Sequence, residues 1–282
     1  MTTQFDTIDF HGLPALRMRS ADGASAIVTM HGAHVVSWQP KRGGERLFLS
    51  ERSPFATGKP IRGGIPVIFP QFGPDGPLPR HGFARTRDWA LVDQHAGEDF
   101  ARGIWQLTNT ADTEALWPAA FTAEITVLLG GDRLDVELAV DNTGTASISF
   151  TAALHTYCKV REVELATLDG LEGARYRDQT QGKRLLTDGD EQLVVSGEVD
   201  RLYPDAPPEQ VLGTGDGKLI LTREGFPDIV VWNPWEEKCA ALADMAPDGF
   251  RGMLCVEAAA AAKPVIVAPG ESWSGRQSFE LR

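Results

Sequence analysis

The feature that most constrains this chain is strict two-residue alternation. In the run from Phe121 to Leu129, the residues Phe121, Ala123, Ile125, Val127 and Leu129 fall on one face. Gly130, Gly131 and Asp132 follow as turn residues, and the next run sets Leu134, Val136, Leu138 and Val140 opposite Asp135, Glu137 and Asp141. Two half-buried strands joined by a glycine turn make a β-hairpin. The pattern recurs after the Asn142-Thr-Gly-Thr turn, where Ile148, Phe150, Ala152 and Leu154 alternate with small or polar residues.

Further strands are expected at Ala24–Met30, Val35–Gln39, Ile104–Thr108, Gln192–Val199, Lys218–Thr222, Ile229–Asn233, Met253–Glu257 and Val265–Ala268. The 29 glycines and 18 prolines punctuate them at short intervals. No long amphipathic helical pattern competes, which points to an all-β sandwich or barrel. Trp235–Leu242 has room for a turn or two of helix. Ala258–Ala262 has helical propensity but is too short to stand alone. With no repeat or linker visible, one domain over residues 1–282 is the simpler reading.

A net charge of −12 argues against a broad nucleic-acid surface or an anionic membrane as partner. No apolar run approaches membrane-spanning length, and residues 1–10 lack a secretory pattern. The three cysteines are widely spaced and include no CxxC pair, so neither a disulfide framework nor a thiolate zinc site is indicated. The expectation is a cytoplasmic monomer with no metal.

Basic residues nonetheless cluster. Between Ile61 and Trp89, prolines and glycines interleave with Arg62, Arg80, His81, Arg85 and Arg87. Such a segment is a shaped loop rather than regular structure. A single arginine there is best read as facing water. Several arginines and a histidine in an acidic chain suit an anion such as phosphate, which the guanidinium fork binds in pairs of hydrogen bonds. No nucleotide phosphate loop is present.

His155 closes the small and polar face of the Ser147–His155 strand, so it either lines a cleft or is simply hydrogen-bonded within a sheet. Glu257 follows the apolar run Met253-Leu-Cys-Val. There it either emerges into solvent or serves as a base in a partly desolvated cleft. Asp200 in Asp-Arg-Leu-Tyr, and Asn233 between Trp232 and Trp235, are candidate sugar contacts, with a surface ion pair and core packing as the plainer readings.

The segment RGGIPVIFPQFGP…LPRHGFAR resembles the signature of the glucose-6-phosphate 1-epimerases within the wider aldose 1-epimerase family. So do ALHTYCKV, GEVDRLY, VVWNPW, DMAPDGF, MLCVEAA and APGESW, in that order from Arg62 to Trp273. The resemblance implies a galactose-mutarotase-like β-supersandwich that needs no cofactor and acts on a small phosphosugar. It implies His155 as the acid for the ring oxygen and Glu257 as the base for the anomeric hydroxyl. By the same resemblance, His81 and Asp200 belong to the substrate cleft and Arg62 and Arg85 to the phosphate, with Gln71 and Asn233 as further candidate substrate contacts. Arg80 stands where relatives often carry glutamine, and adds a phosphate contact or points away. Two alternatives stay open: a mutarotase of free aldoses, and a sugar-binding or regulatory module without turnover.

Overall fold

The computed structural model describes residues 2–189 and 191–282. Three antiparallel sheets carry the fold. Gln4–Phe10, Leu13–Arg19, Ser25–Thr29 and His34–Gln39 form a four-stranded meander. A nine-stranded sheet is built around the expected hairpin, Phe121–Gly130 against Arg133–Asn142, with Phe121 opposite Asn142. Ser272–Leu281 and Lys218–Glu224 continue it on one side, and Ala101–Thr108 and Ala90–Ala96 on the other.

The third sheet positions the site. Its order is Arg184–Thr187, Arg175–Asp178, Val199–Tyr203, Asp228–Asn233, Met253–Val267, Ile148–Leu154 and Val67–Ile68, with Tyr157–Lys159 also paired to the long Met253–Val267 strand. One face of this sheet packs on the nine-stranded sheet. Trp273 meets Phe150 edge-on at 5.5 Å, and Gln277 reaches across to Thr156 Oγ1 and the Val256 carbonyl. Leu254, Val256, Ala258 and Ala260 all point into that shared core, which the period of two requires. The opposite face carries Cys255, Glu257 and Ala259.

Three expectations need correction. Ala258–Ala262 is not helical, and Glu257 does not end a strand: Met253–Val267 is one strand of 15 residues, and Val265 belongs to it. Helical propensity yields because Ala258 and Ala260 fill the core between the two sheets while Ala259 packs with Ala153 and Val230 on the other face. The ladder to Ile148–Leu154 slips between Phe150 and Ala152, which accommodates Pro264. Gln192–Val199 is likewise not one strand. It divides after Val194, Gln192–Val194 pairing with Thr167–Asp169 and Val199–Tyr203 entering the third sheet, so Asp200 lies within a strand rather than after one.

The short helix at Trp235–Ala240 falls where expected. Ala111–Leu116, capped by Thr110, lacked a sequence signal strong enough to anticipate. Among the described residues, no helix is long and apolar enough to cross a membrane.

Candidate active site

Strand register builds the site. Leu154 pairs with Ala258 and Tyr157 with Cys255, so His155 falls opposite Glu257 on the same face. The imidazole Nε2 lies 3.4 Å from Glu257 Oε1. A second row runs across four strands: Asp200 pairs with Trp232, Trp232 with Cys255, and Cys255 with Tyr157. Residues far apart in sequence thereby form one floor.

Glu257 is 1 % exposed, and its Oε2 has no hydrogen-bond partner among the described residues. Its neighbours on that face include Val230 and Leu202, directly across the ladder, in an apolar cluster with Ala153, Ala259 and Ile68. Burial pushes the Glu257 carboxyl well above the ordinary range, and Asp200 adds to the rise. Burial pulls His155 well below the ordinary imidazole value, helped by His81 and Arg85. Low dielectric thus favours the uncharged form of each.

The His155 ring is sandwiched by geometry. Tyr157 stacks on it at 4.9 Å and 10°, Trp232 meets it edge-on at 6.0 Å, and His81 lies 5.7 Å away. The His155 Nδ1 atom is buried without a hydrogen-bond partner among the described residues. Two donors face the His81 ring, the Gly73 backbone N–H at 3.3 Å from Nδ1 and the Arg80 Nε–H at 3.4 Å from Nε2. A neutral ring accepts at one of these nitrogens and carries its proton on the other. Burial, then Arg85 and Arg80, lower His81 to about 3, leaving it neutral at physiological pH.

The basic loop is shaped by glycines where backbone leaves no room. A Cβ on Gly64 would fall 2.3 Å from the Val35 carbonyl oxygen, and one on Gly82 would fall 2.2 Å from that of Phe69. Arg62 leaves this turn with its Nε and Nη2 on Asp244 Oδ2, at 3.1 and 3.0 Å, and donates from Nη1 to the Tyr157 hydroxyl at 2.9 Å. Burial alone would depress Arg62, but Tyr157 and Asp244 hold it above its ordinary value. Arg85 has no such carboxylate. Its Nη2 donates to the Arg80 carbonyl at 3.0 Å and its Nε is buried without a partner among the described residues. Burial, followed by Arg62 and Arg80, lowers it to about 10.

Asp200 is half-buried in the second row, and burial raises it to about 6, Lys238 opposing and Glu198 reinforcing the shift. His81, Arg62, Arg85, Asp200, His155 and Glu257 therefore gather in one region, with Arg80 exposed at its rim. Two expected contacts turn away. Asn233 is fully buried and spends its amide on the Phe250 and Met253 carbonyls and the Trp235 N–H. Gln71 spends its own on Gly73, Leu78 and the Leu78 N–H, closing its loop. Both are braces, and an amide beside a proline-rich turn reads identically in sequence whether it faces sugar or backbone.

Sequence reasoning missed Tyr157, Asp244 and Cys255. The two-residue period carried a signal for two of them: Tyr157 follows His155, and Cys255 precedes Glu257, on the same face. A hollow of about 560 Å³ between Asp22, Lys41, Phe100 and Arg133 lies elsewhere, and its Arg133 is already paired with Asp135.

Paired sheets with a buried histidine and carboxylate on one face define a galactose-mutarotase-like sandwich. The aldose 1-epimerase profile matches residues 14–280, and the chain belongs to that family, whose members interconvert sugar anomers. A Cenchrus ciliaris protein named "Putative glucose-6-phosphate 1-epimerase" is 37% identical over 94% of this chain and 84% of its own. An Escherichia coli protein of the same name is 32% identical over 89% and 88%. Among solved structures, "a putative mutarotase" from Salmonella typhimurium superposes with a TM-score of 0.90 at 26% identity, covering 99% of this chain and 93% of that one. A galactose 1-epimerase from Lactobacillus acidophilus shares the fold at 14% identity, with a TM-score of 0.75 over 100% and 99%.

Proposed function

We propose that this enzyme interconverts the α and β anomers of a hexose 6-phosphate, with glucose 6-phosphate the leading substrate. The observation that carries the phosphate is a charge imbalance. Arg62, Arg80 and Arg85 lie together, and Asp244, the carboxylate ion-paired in this group, binds Arg62 alone. Arg85 is half-buried, and its Nε is a buried atom without a partner among the described residues. A partly desolvated guanidinium without an anion is unfavourable, and a phosphate supplies the missing charge and acceptor oxygens. A free aldose leaves that cost in place. The names of the relatives point the same way.

The chemistry follows from the pair. Moving the resting proton from Glu257 to His155 creates an acid and a base 3.4 Å apart. His155 gives its proton to the ring oxygen while Glu257 takes the proton of the anomeric hydroxyl. The bond between C1 and the ring oxygen breaks, leaving a free aldehyde and a hydroxyl. Rotation about the C1–C2 bond presents the other carbonyl face, and the reverse transfers close the ring. Protons balance over the cycle. Each positioned group is worth roughly 10²–10⁴-fold in rate, with orientation adding to that. Asp200 and the neutral His81 ring supply hydrogen-bonding partners for sugar hydroxyls. A phosphorylated substrate and three buried free thiols fit a cytoplasmic location.

Magnetization-exchange NMR on glucose 6-phosphate and on glucose tests the reading. Exchange should be much faster for the phosphorylated sugar. Equal acceleration of both rejects the phosphate assignment.

A further inference from the structure

The proton-transfer pair does not exhaust the donors on this floor. Cys255 lies two residues before Glu257 on the same strand and therefore on the same face. A nitrogen of His155, the Cys255 sulfur and a Glu257 oxygen all lie within 4.8 Å of one another. All three residues are buried, and two of them present an atom with no partner among the described residues, His155 Nδ1 and Glu257 Oε2.

We propose that this floor is a binding site for a thiophilic divalent cation, Zn²⁺ being the type case, and that its occupation stops epimerisation. The donor set is imidazole, thiolate and carboxylate, the three side-chain classes that bind zinc. Metal–ligand bonds of about 2.0–2.3 Å put neighbouring donors of a tetrahedral ion roughly 3.5 Å apart. The imidazole Nε2 and the carboxylate Oε1 already stand at 3.4 Å, while Nδ1 and Oε2 are the atoms left unpartnered among the described residues. The Cys255 sulfur lies within 4.8 Å of a donor atom of each.

Charge favours the same ion. A divalent cation with one thiolate and one carboxylate is a neutral assembly, which a floor walled by Val230 and Leu202 accepts at less cost than either anion alone. Zn²⁺ displaces the thiol proton and the carboxyl proton, both leaving to solvent. Arg62 and Arg85 oppose a cation there and Asp200 favours it. The fourth position stays open to water or a sugar hydroxyl. Inhibition follows because the ion takes the lone pairs that the reaction uses. That consequence rests on the catalytic reading of His155 and Glu257, whereas binding itself does not.

The test is titration of the full chain with Cd²⁺ alone, followed by its ultraviolet thiolate charge-transfer band, and with Zn²⁺ by calorimetry. One ion per chain is expected, with a band that Cys255→Ser abolishes and Cys158→Ser and Cys239→Ser retain. Zn²⁺ affinity should fall at least about tenfold in Cys255→Ser, the loss of one ligand, and Cys255→Ala provides a second variant should the hydroxyl disturb packing. Absence of the band, or its persistence without Cys255, overturns the site. Stoichiometric binding through Cys255 with undiminished epimerisation would uphold the metal site, reject inhibition, and remove the pair from the mechanism.

Discussion

The Tyr157 hydroxyl accepts a hydrogen bond from Arg62 while the Tyr157 ring lies flat on His155. One side chain thereby ties the anion pocket to the proton-transfer pair. Tyr157→Phe keeps the ring and removes the tether. The KM for glucose 6-phosphate should rise about fivefold, the worth of about 1 kcal/mol of hydrogen bond, with little change in kcat. A fall in kcat at constant KM would place the hydroxyl in the chemistry instead.

Arg85 sets two effects against each other. Arg85→Ala should weaken binding of the phosphorylated sugar by about 10–100-fold, the scale of a charged hydrogen-bonding partner, and leave exchange on glucose unchanged. The unliganded variant should melt no lower than the parent, because a partly desolvated charge without a carboxylate partner among the described residues is gone. Inorganic phosphate should raise the Tm of the parent more than that of the variant. A variant that melts lower, and that binds phosphate normally, contradicts this assignment.

Asp200 gives a pH-dependent stability. Its carboxyl is raised to about 6 in the folded chain from an ordinary value of 3.8, chiefly by burial. The folded state therefore holds the proton more tightly than the unfolded state. That contribution is fully present below pH 3.8 and is lost as pH rises through about 6, above which the fold carries an ionised, partly desolvated carboxylate. Asp200→Asn should stabilise the unliganded protein by about 1–3 kcal/mol near pH 7.5 and by nearly nothing near pH 4, while slowing turnover. Denaturant midpoints at the two pH values decide it, and equal gains at both would reject the raised carboxyl.

The hairpin around Gly130–Gly131 and the alternation of Ile148–Leu154 were legible because each strand there has one face in the core and one outside it. Met253–Val267 was only half legible. Its faces are both buried, one in the inter-sheet core and one against Val230 and Ala153, so alternation vanishes and five alanines mimic helix. His155 and Glu257 were marked by residue type and by resemblance, but their meeting depends on the register between two strands some 100 residues apart, which no local pattern encodes. Asn233 and Gln71 misled for the complementary reason. Their neighbours in sequence belong to the site, whereas their amides face backbone.

The central claim is that His155 and Glu257 pass protons to and from the sugar. The most direct measurement is the anomer exchange rate of glucose 6-phosphate with Glu257→Gln, alongside His155→Asn and the parent enzyme. Each substitution should lower the catalysed rate by about 10²–10⁴-fold while inorganic phosphate still binds. Exchange at the parental rate in either variant contradicts the account.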